Sequence, residues 1–305
     1  MQLERVASTR LNRGKPFRIR LARLTLSVVV VGYFVFSVFP VIWVALLSVK
    51  TRQDAVAFPP PLLFSPTLAN YQEVVGTFEY RGGSAANFAR GSDFASFLKN
   101  SLIVVGTATI VSMVLGTLAA YALARIPAKK WIKENILFTV LSFRFLPEMA
   151  IIVPLFVIFA RLQLTNTYIG LIWIYQLIGI PLVVLIMVAT FSDLPVELED
   201  AARVDGAGYR QVFFRVMLPL VKPALASSLV LAFIFGWNSF IFALVLGGPD
   251  TMPVTAIALN YLSSQETALG QMAAATVLGA APSLILAITI QRFLVTGLTL
   301  GAVRG

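Results

Sequence analysis

The chain has 305 residues, 58% of them apolar and 12% charged, with a mean hydropathy of +0.85; soluble domains carry about 25% charged residues, so this one has too few to coat a water-facing surface. Its net charge of +10 would suit a nucleic-acid partner only if the bases formed a stripe on a soluble face, and they lie between apolar runs instead. Cysteine and histidine are both absent, which excludes disulfides, thiolate chemistry, the usual zinc ligands and any Ser/His/Asp or Cys/His nucleophilic site.

A bilayer core about 30 Å thick needs roughly 20 mostly apolar residues per spanning helix, and six stretches qualify. A basic tail, 1–23, precedes the first, with Arg5, Arg10, Arg13, Lys15, Arg18, Arg20 and Arg23 against Glu4. The first span, 24–48, is too long for a signal peptide and lacks a small-residue cleavage site, so it reads as a retained helix. Residues 49–96 are rich in turn formers such as Pro59, Pro60, Pro61, Pro66, Gly82 and Gly83, predicting an ordered loop with short helices. A five-helix core, 97–296, follows. Its second span, about 97–124, is uncharged apart from Lys99, and Gly106 and Gly116 there suit close helix approach. The third, about 136–160, contains Arg144 and Glu148; the fourth covers about 168–191, the fifth 223–246 and the sixth 272–296, with 297–305 as a tail. Pro147, Pro154 and Pro181 are expected to kink their helices.

Positive loops stay on the cytoplasmic side. The N-terminal tail is basic, the connection between spans two and three adds Arg125, Lys129, Lys130 and Lys133, and the connection between five and six carries Asp250 and Glu266 with no base. The pattern predicts an all-α polytopic membrane protein with six transmembrane helices and both termini in the cytoplasm.

The cytoplasmic stretch 192–222 carries the most specific pattern. Pro195 suits a first helical turn, Glu197, Glu199 and Asp200 complement its positive end, Arg203 sits in the last turn, and Gly206 supplies the stop. A second short helix is expected from about Tyr209 to Met217, ended by Pro219. Leu198, Ala201, Ala202 and Asp205 share one face at i, i+3, i+4 and i+7. Small side chains admit another protein's backbone, and Asp200 offers a charge to a partner's arginine. Glu199 lies about 100° around the helix from Asp200, so this reading expects a milder defect from Glu199→Lys than from Asp200→Lys. The alternative, an ordinary amphipathic surface helix, does not require all these elements at fixed spacing.

This stretch resembles the EAA loop of ABC importer permeases, which has Glu-Ala-Ala, then an Asp-Gly turn, then a distal Leu-Pro. Here Asp200-Ala201-Ala202, Asp205-Gly206 and Leu218-Pro219 match, with Asp200 in the glutamate place and one methylene shorter. Resemblance extends to the maltose and trehalose permease branch through Asn100-Ser101, Ala120-Tyr121-Ala122-Leu123-Ala124-Arg125, Pro147, Pro154, Trp237-Asn238 and the ending from Gln291 to Gly305. It implies a type I importer permease fold in the cell membrane, surrounded by lipid and paired with a second homologous permease. An external binding protein would deliver carbohydrate, and two cytoplasmic ATPases would bind ATP and Mg while this chain binds no cofactor or metal. The chain contains no Gly-x-x-x-x-Gly-Lys-Ser/Thr phosphate loop, as a separately encoded ATPase requires.

Five residues are candidates for the solute path. Arg144 and Glu148, read as i and i+4 on one helix, either contact sugar hydroxyls or neutralise each other inside the bundle. Trp237 and Asn238 either stack on and hydrogen-bond a sugar ring or serve as packing and interhelical glue, and Gln176 carries the same two readings. A secondary transporter or channel is the alternative function, but Glu148 is its one intramembrane acid and no matched halves are visible. A membrane enzyme is disfavoured by the missing His and Cys.

Overall fold

The computed structural model describes residues 14–76, 94–256 and 268–302, with side chains described from 24 to 289 within those ranges, and every regular element there is helical. Helix α1, Gly14–Ser48, begins within the basic tail and crosses with its apolar stretch Leu24–Ser48, which is exposed nearly all round, as a lipid-facing helix should be. Beyond it lie two short helices, α2 (Arg52–Val56) and α3 (Ala69–Val75). Thr51 caps α2 by accepting from the Asp54 amide. Lys50, which looks like a loop residue in the sequence, is 1% exposed: its ammonium donates to the Pro61 carbonyl at 2.7 Å and lies over the rings of Trp43 and Phe64. Asn70 donates to the carbonyls of Ser48 and Lys50, fastening α3 to the end of α1. Residues 77–93, with Gly82 and Gly83, lie outside the described residues.

The centre of the bundle is the packing of α4, Phe94–Arg125, against the span Tyr168–Asp193, which is built of α7 (Tyr168–Ile174) and α8 (Gln176–Asp193). Small residues set this approach. A Cβ on Gly116 would lie 2.8 Å from the Val183 side chain, and one on Gly179 would run into Ser112. Gly106, expected to play the same part, has nothing within 4 Å of its Cβ position among the described residues, so it mediates no close contact with them.

Two expected spans are broken. The third is not one helix over 136–160: α5 (Lys130–Phe145) and α6 (Glu148–Arg161) meet at 98°. Pro147 forces the cause locally, since its ring bars Leu146 from helical geometry and Leu146 is extended (φ −70°, ψ 124°). Pro154 and Pro181 lie inside helices that continue past them. After α9 (Glu197–Val204) the chain forms α10 (Tyr209–Gln211), a π-helical turn Val212–Met217 and α11 (Leu218–Leu220). Pro219 therefore does not end this helix where expected. It lacks an N–H and would clash with the Arg215 carbonyl in an α-helix, and the wider turn, in which the Leu218 N–H reaches back to Phe213, accommodates it. A bend of 77° then leads into α12, Lys222–Asn238. The fifth span breaks again at extended Ser239 before α13, Ile241–Leu246, and the sixth is α14, Leu269–Ala302. Among the described residues four helices are long and apolar enough to cross, or up to six spans if each bent pair counts as one.

Candidate functional site

Within the stretch 192–222, α9 is a short helix whose two sides differ in kind. On α9, Glu197, Leu198, Asp200, Ala201, Val204 and Asp205 are exposed, while Ala202 leans on the apolar core around Phe191, Phe213 and Met217. Of the four residues expected on one face, three are outward and Ala202 is turned inward. The helix ends as a Schellman motif: the Gly206 N–H donates to the Arg203 carbonyl at 3.0 Å and the Ala207 N–H to Ala202 at 3.0 Å, with Gly206 at φ +86°. Gly208 donates to the Gln211 side chain at 3.0 Å to open the next helix. Leu218 is half-buried against the same core and Pro219 is exposed.

Glu199 is where the structure departs from the sequence reading. It does face away from Asp200, but into the protein, with 2% of its side chain exposed. Arg125 Nε lies 2.9 Å from Glu199 Oε1, an ion-pair contact off the hydrogen-bond line. The Tyr121 hydroxyl donates to Oε2 at 3.1 Å, and Arg203 stands 3.6 Å from the same oxygen. Glu199→Lys would set an ammonium against two guanidinium groups in a buried site, so the expectation of a mild defect is corrected. Arg125, visible in the sequence as an inside-facing charge, and Tyr121 carry no sequence signal that marks them as partners of this helix.

The solute-path candidates lie in three settings. Gln176 is buried and fully engaged: its carbonyl accepts from Ser112 at 2.7 Å, and its amide donates to the carbonyls of Ala108 at 3.2 Å and Ile172 at 2.8 Å. Arg144 and Glu148 stand on opposite sides of the 98° break, on α5 and α6, so the i,i+4 pairing expected of a single helix is not formed, and no ion pair joins them among the described residues. The Arg144 guanidinium instead stacks 4.1 Å from the centre of the Phe235 ring on α12.

Trp237 and Asn238 end α12 beside the break at Ser239 and line an open pocket of about 350 Å³ with Phe240, Val254, Thr255, Thr276, Gly279 and Ser283. Trp237 is packed on Phe233 and donates to the Gly279 carbonyl at 2.9 Å, fastening α12 to α14. Asn238 is exposed, with its amide donating to Ile234 at 2.8 Å, and the buried Thr255 hydroxyl has no hydrogen-bond partner among the described residues. Among the described residues the lining contains no ionisable side chain. The pocket's outer wall is held by Asn100, which donates to the carbonyls of Asp250 and Met252 and accepts from Tyr168 at 2.6 Å, and by Ser101, which accepts from the Val254 amide at 2.7 Å.

Comparison with known proteins places this arrangement. The chain is 33% identical to the trehalose transport system permease protein of Mycobacterium tuberculosis over 92% of its own length and 96% of that relative. It is 32% identical to the trehalose/maltose transport system permease protein of Thermococcus litoralis, over 93% and 98%. Its fold superimposes on a chain of a bacterial ABC transporter involved in alginate import with a TM-score of 0.70 at 18% identity, covering 90% of this chain and 96% of that one. Residues 112–299 match the family model of the inner membrane component of binding-protein-dependent transport systems. Helix α9 and the bent helix pairs lie within that match, and the chain belongs to this family as a multi-pass permease subunit of an ABC importer, in which ATP hydrolysis resides on partner subunits.

Proposed function

We propose that this chain forms half of the translocation path for a neutral carbohydrate and that α9 docks it to a cytoplasmic ATPase. The observation that carries the docking is the division of α9 into an outward face of Asp200, Ala201 and Asp205 and an inward acid, Glu199, tied to the bundle. A helix anchored on one side and free on the other suits insertion into a partner's groove. A second homologous permease, two ATPase subunits carrying ATP and Mg, and an external binding protein complete the assembly in a bacterial or archaeal cytoplasmic membrane, with both termini cytoplasmic. Closure of the ATPases would rotate the bundle and switch access from one side to the other.

The sugar assignment rests on the relatives that transport trehalose and maltose and on the chemistry of the Trp237–Asn238 pocket. Hydroxyl and amide groups around an aromatic wall suit a hydroxylated solute, whereas an anionic one would leave its charge without a partner there. The test is uptake by the complete complex in vesicles. Asn238→Leu and Thr255→Val should lower sugar uptake while leaving assembly and ATPase binding intact; unchanged uptake in both removes the pocket from the path. Asp200→Lys should insert normally, pair with the second permease and lose the ATPase subunit on purification; retention of the ATPase with full transport would overturn the docking reading.

A further inference from the structure

Glu199 is the one acid of α9 that faces the bundle, and its surroundings join three separate elements. Its carboxylate meets Arg125 and Tyr121 at the cytoplasmic end of α4. Arg125, 12% exposed, also donates to the Leu194 carbonyl at 2.7 Å, and Leu194 is the C-terminal cap of α8. Tyr121 is wedged between Phe191 of α8 and Phe213 of the π-helical turn, with ring centres 5.4 and 4.9 Å away. The covalent link from α8 to α9 is only Leu194, Pro195 and Val196, beginning with extended Leu194 (φ −76°, ψ 139°). Such a link fixes the distance between two helices but leaves their relative rotation to side-chain contacts.

We propose that Glu199 and Arg125 are positioning residues for coupling: they make α9 a rigid extension of α4 and α8, so that displacement of the outward face reaches the two most closely packed spans instead of being absorbed at Leu194–Val196. The proposal rests on the reading that α9 docks to the ATPase. It gives the two neighbouring acids opposite tasks. Asp200 meets the partner, and Glu199 carries the load inward.

The complete importer with its binding protein, reconstituted in vesicles, separates these tasks. Glu199→Gln removes the charge and little volume. It should retain the ATPase subunit and binding-protein-stimulated hydrolysis to within about twofold, while solute moved per ATP falls by about tenfold, within the usual range for coupling between sites. Tyr121→Phe, which removes one hydroxyl, should show the same split to a smaller degree. Because the chain contains no cysteine, Arg125→Cys with Glu199→Cys can be joined by a short bis-maleimide: the unjoined double variant should be uncoupled, and joining should restore most of the solute moved per ATP. Normal transport per ATP in Glu199→Gln overturns the proposal, as does a loss that only tracks the amount of assembled complex. If Glu199→Gln fails to assemble, the joined double variant decides, and a joined but uncoupled complex overturns it. Asp200→Lys distinguishes the two levels: loss of the ATPase there with normal Glu199→Gln sinks only the positioning role, whereas retention of the ATPase sinks the docking reading beneath it.

Discussion

At Gly206 the backbone alone makes the requirement. Its φ of +86° lies where a Cβ costs about 1–2 kcal/mol, yet an added Cβ would meet nothing within 4 Å. The penalty is therefore conformational and not steric, which orders the substitutions. Gly206→Asn, a residue that tolerates this region, should transport better than Gly206→Val, which is β-branched and should displace α9 without touching any span. Equal transport by Gly206→Val and the wild type, with the ATPase bound in both, would show that the Schellman turn does not position the helix. This much was legible in the sequence because an acid-rich first turn followed by Asp-Gly has few other uses. The role of Glu199 was not, because alternate acids on a short helix give no sign of which one meets an arginine 74 positions earlier in the chain. Lys50 was hidden for the same reason: its aromatic surroundings come from Trp43 on one side and Phe64 on the other, and burial of a lysine depends on both.

At the level of elements, hydropathy located the four described helices long and apolar enough to cross but was blind to the breaks in the third and fifth stretches. An apolar average over 136–160 is the same for a straight helix and for two helices at 98°, and only the consequence of Pro147 for Leu146 separates them. The break changes what Arg144 and Glu148 can do. A buried pair on one helix would make each single alanine variant costly and the double variant partly recovered. With the two residues on different helices, no contact ion pair between them and Arg144 stacked on Phe235, a double-mutant cycle on folded yield or denaturation should give a coupling below the roughly 3 kcal/mol that breaking a buried contact pair costs. Arg144→Lys should reproduce much of the Arg144→Ala effect, since an ammonium does not replace a planar stack. Recovery in the double variant would restore the ion pair that the geometry lacks. Between α4 and α8, by contrast, Gly179→Leu should prevent the helices from packing and abolish folded protein, because the side chain would occupy the place of Ser112, whereas Gly106→Leu should be tolerated in open space.

For the whole molecule, the distribution of lysine and arginine is the signal that ties fold to function, because it decides which face of the bundle α9 occupies. Arg125, Lys129 and Lys130 stand at the same end of α4 and α5 as α9, and the ion pair between Arg125 and Glu199 fixes that adjacency in space. The opposite end gathers Asn100, Tyr168 and the Asp250 region. The positive-inside rule assigns Arg125, Lys129 and Lys130 to the cytoplasm, and the tertiary contact carries α9 to whichever side they occupy. Reporter fusions should then read cytoplasmic after Arg125 and after Arg203, and external between Pro59 and Gly76 and at Asp250. Because Arg125 and α9 touch, their two reporters must agree whatever the orientation. Disagreement would mean that the contact is not formed in the membrane, while agreement on an external signal would leave the fold intact and remove the cytoplasmic ATPase as the partner of α9.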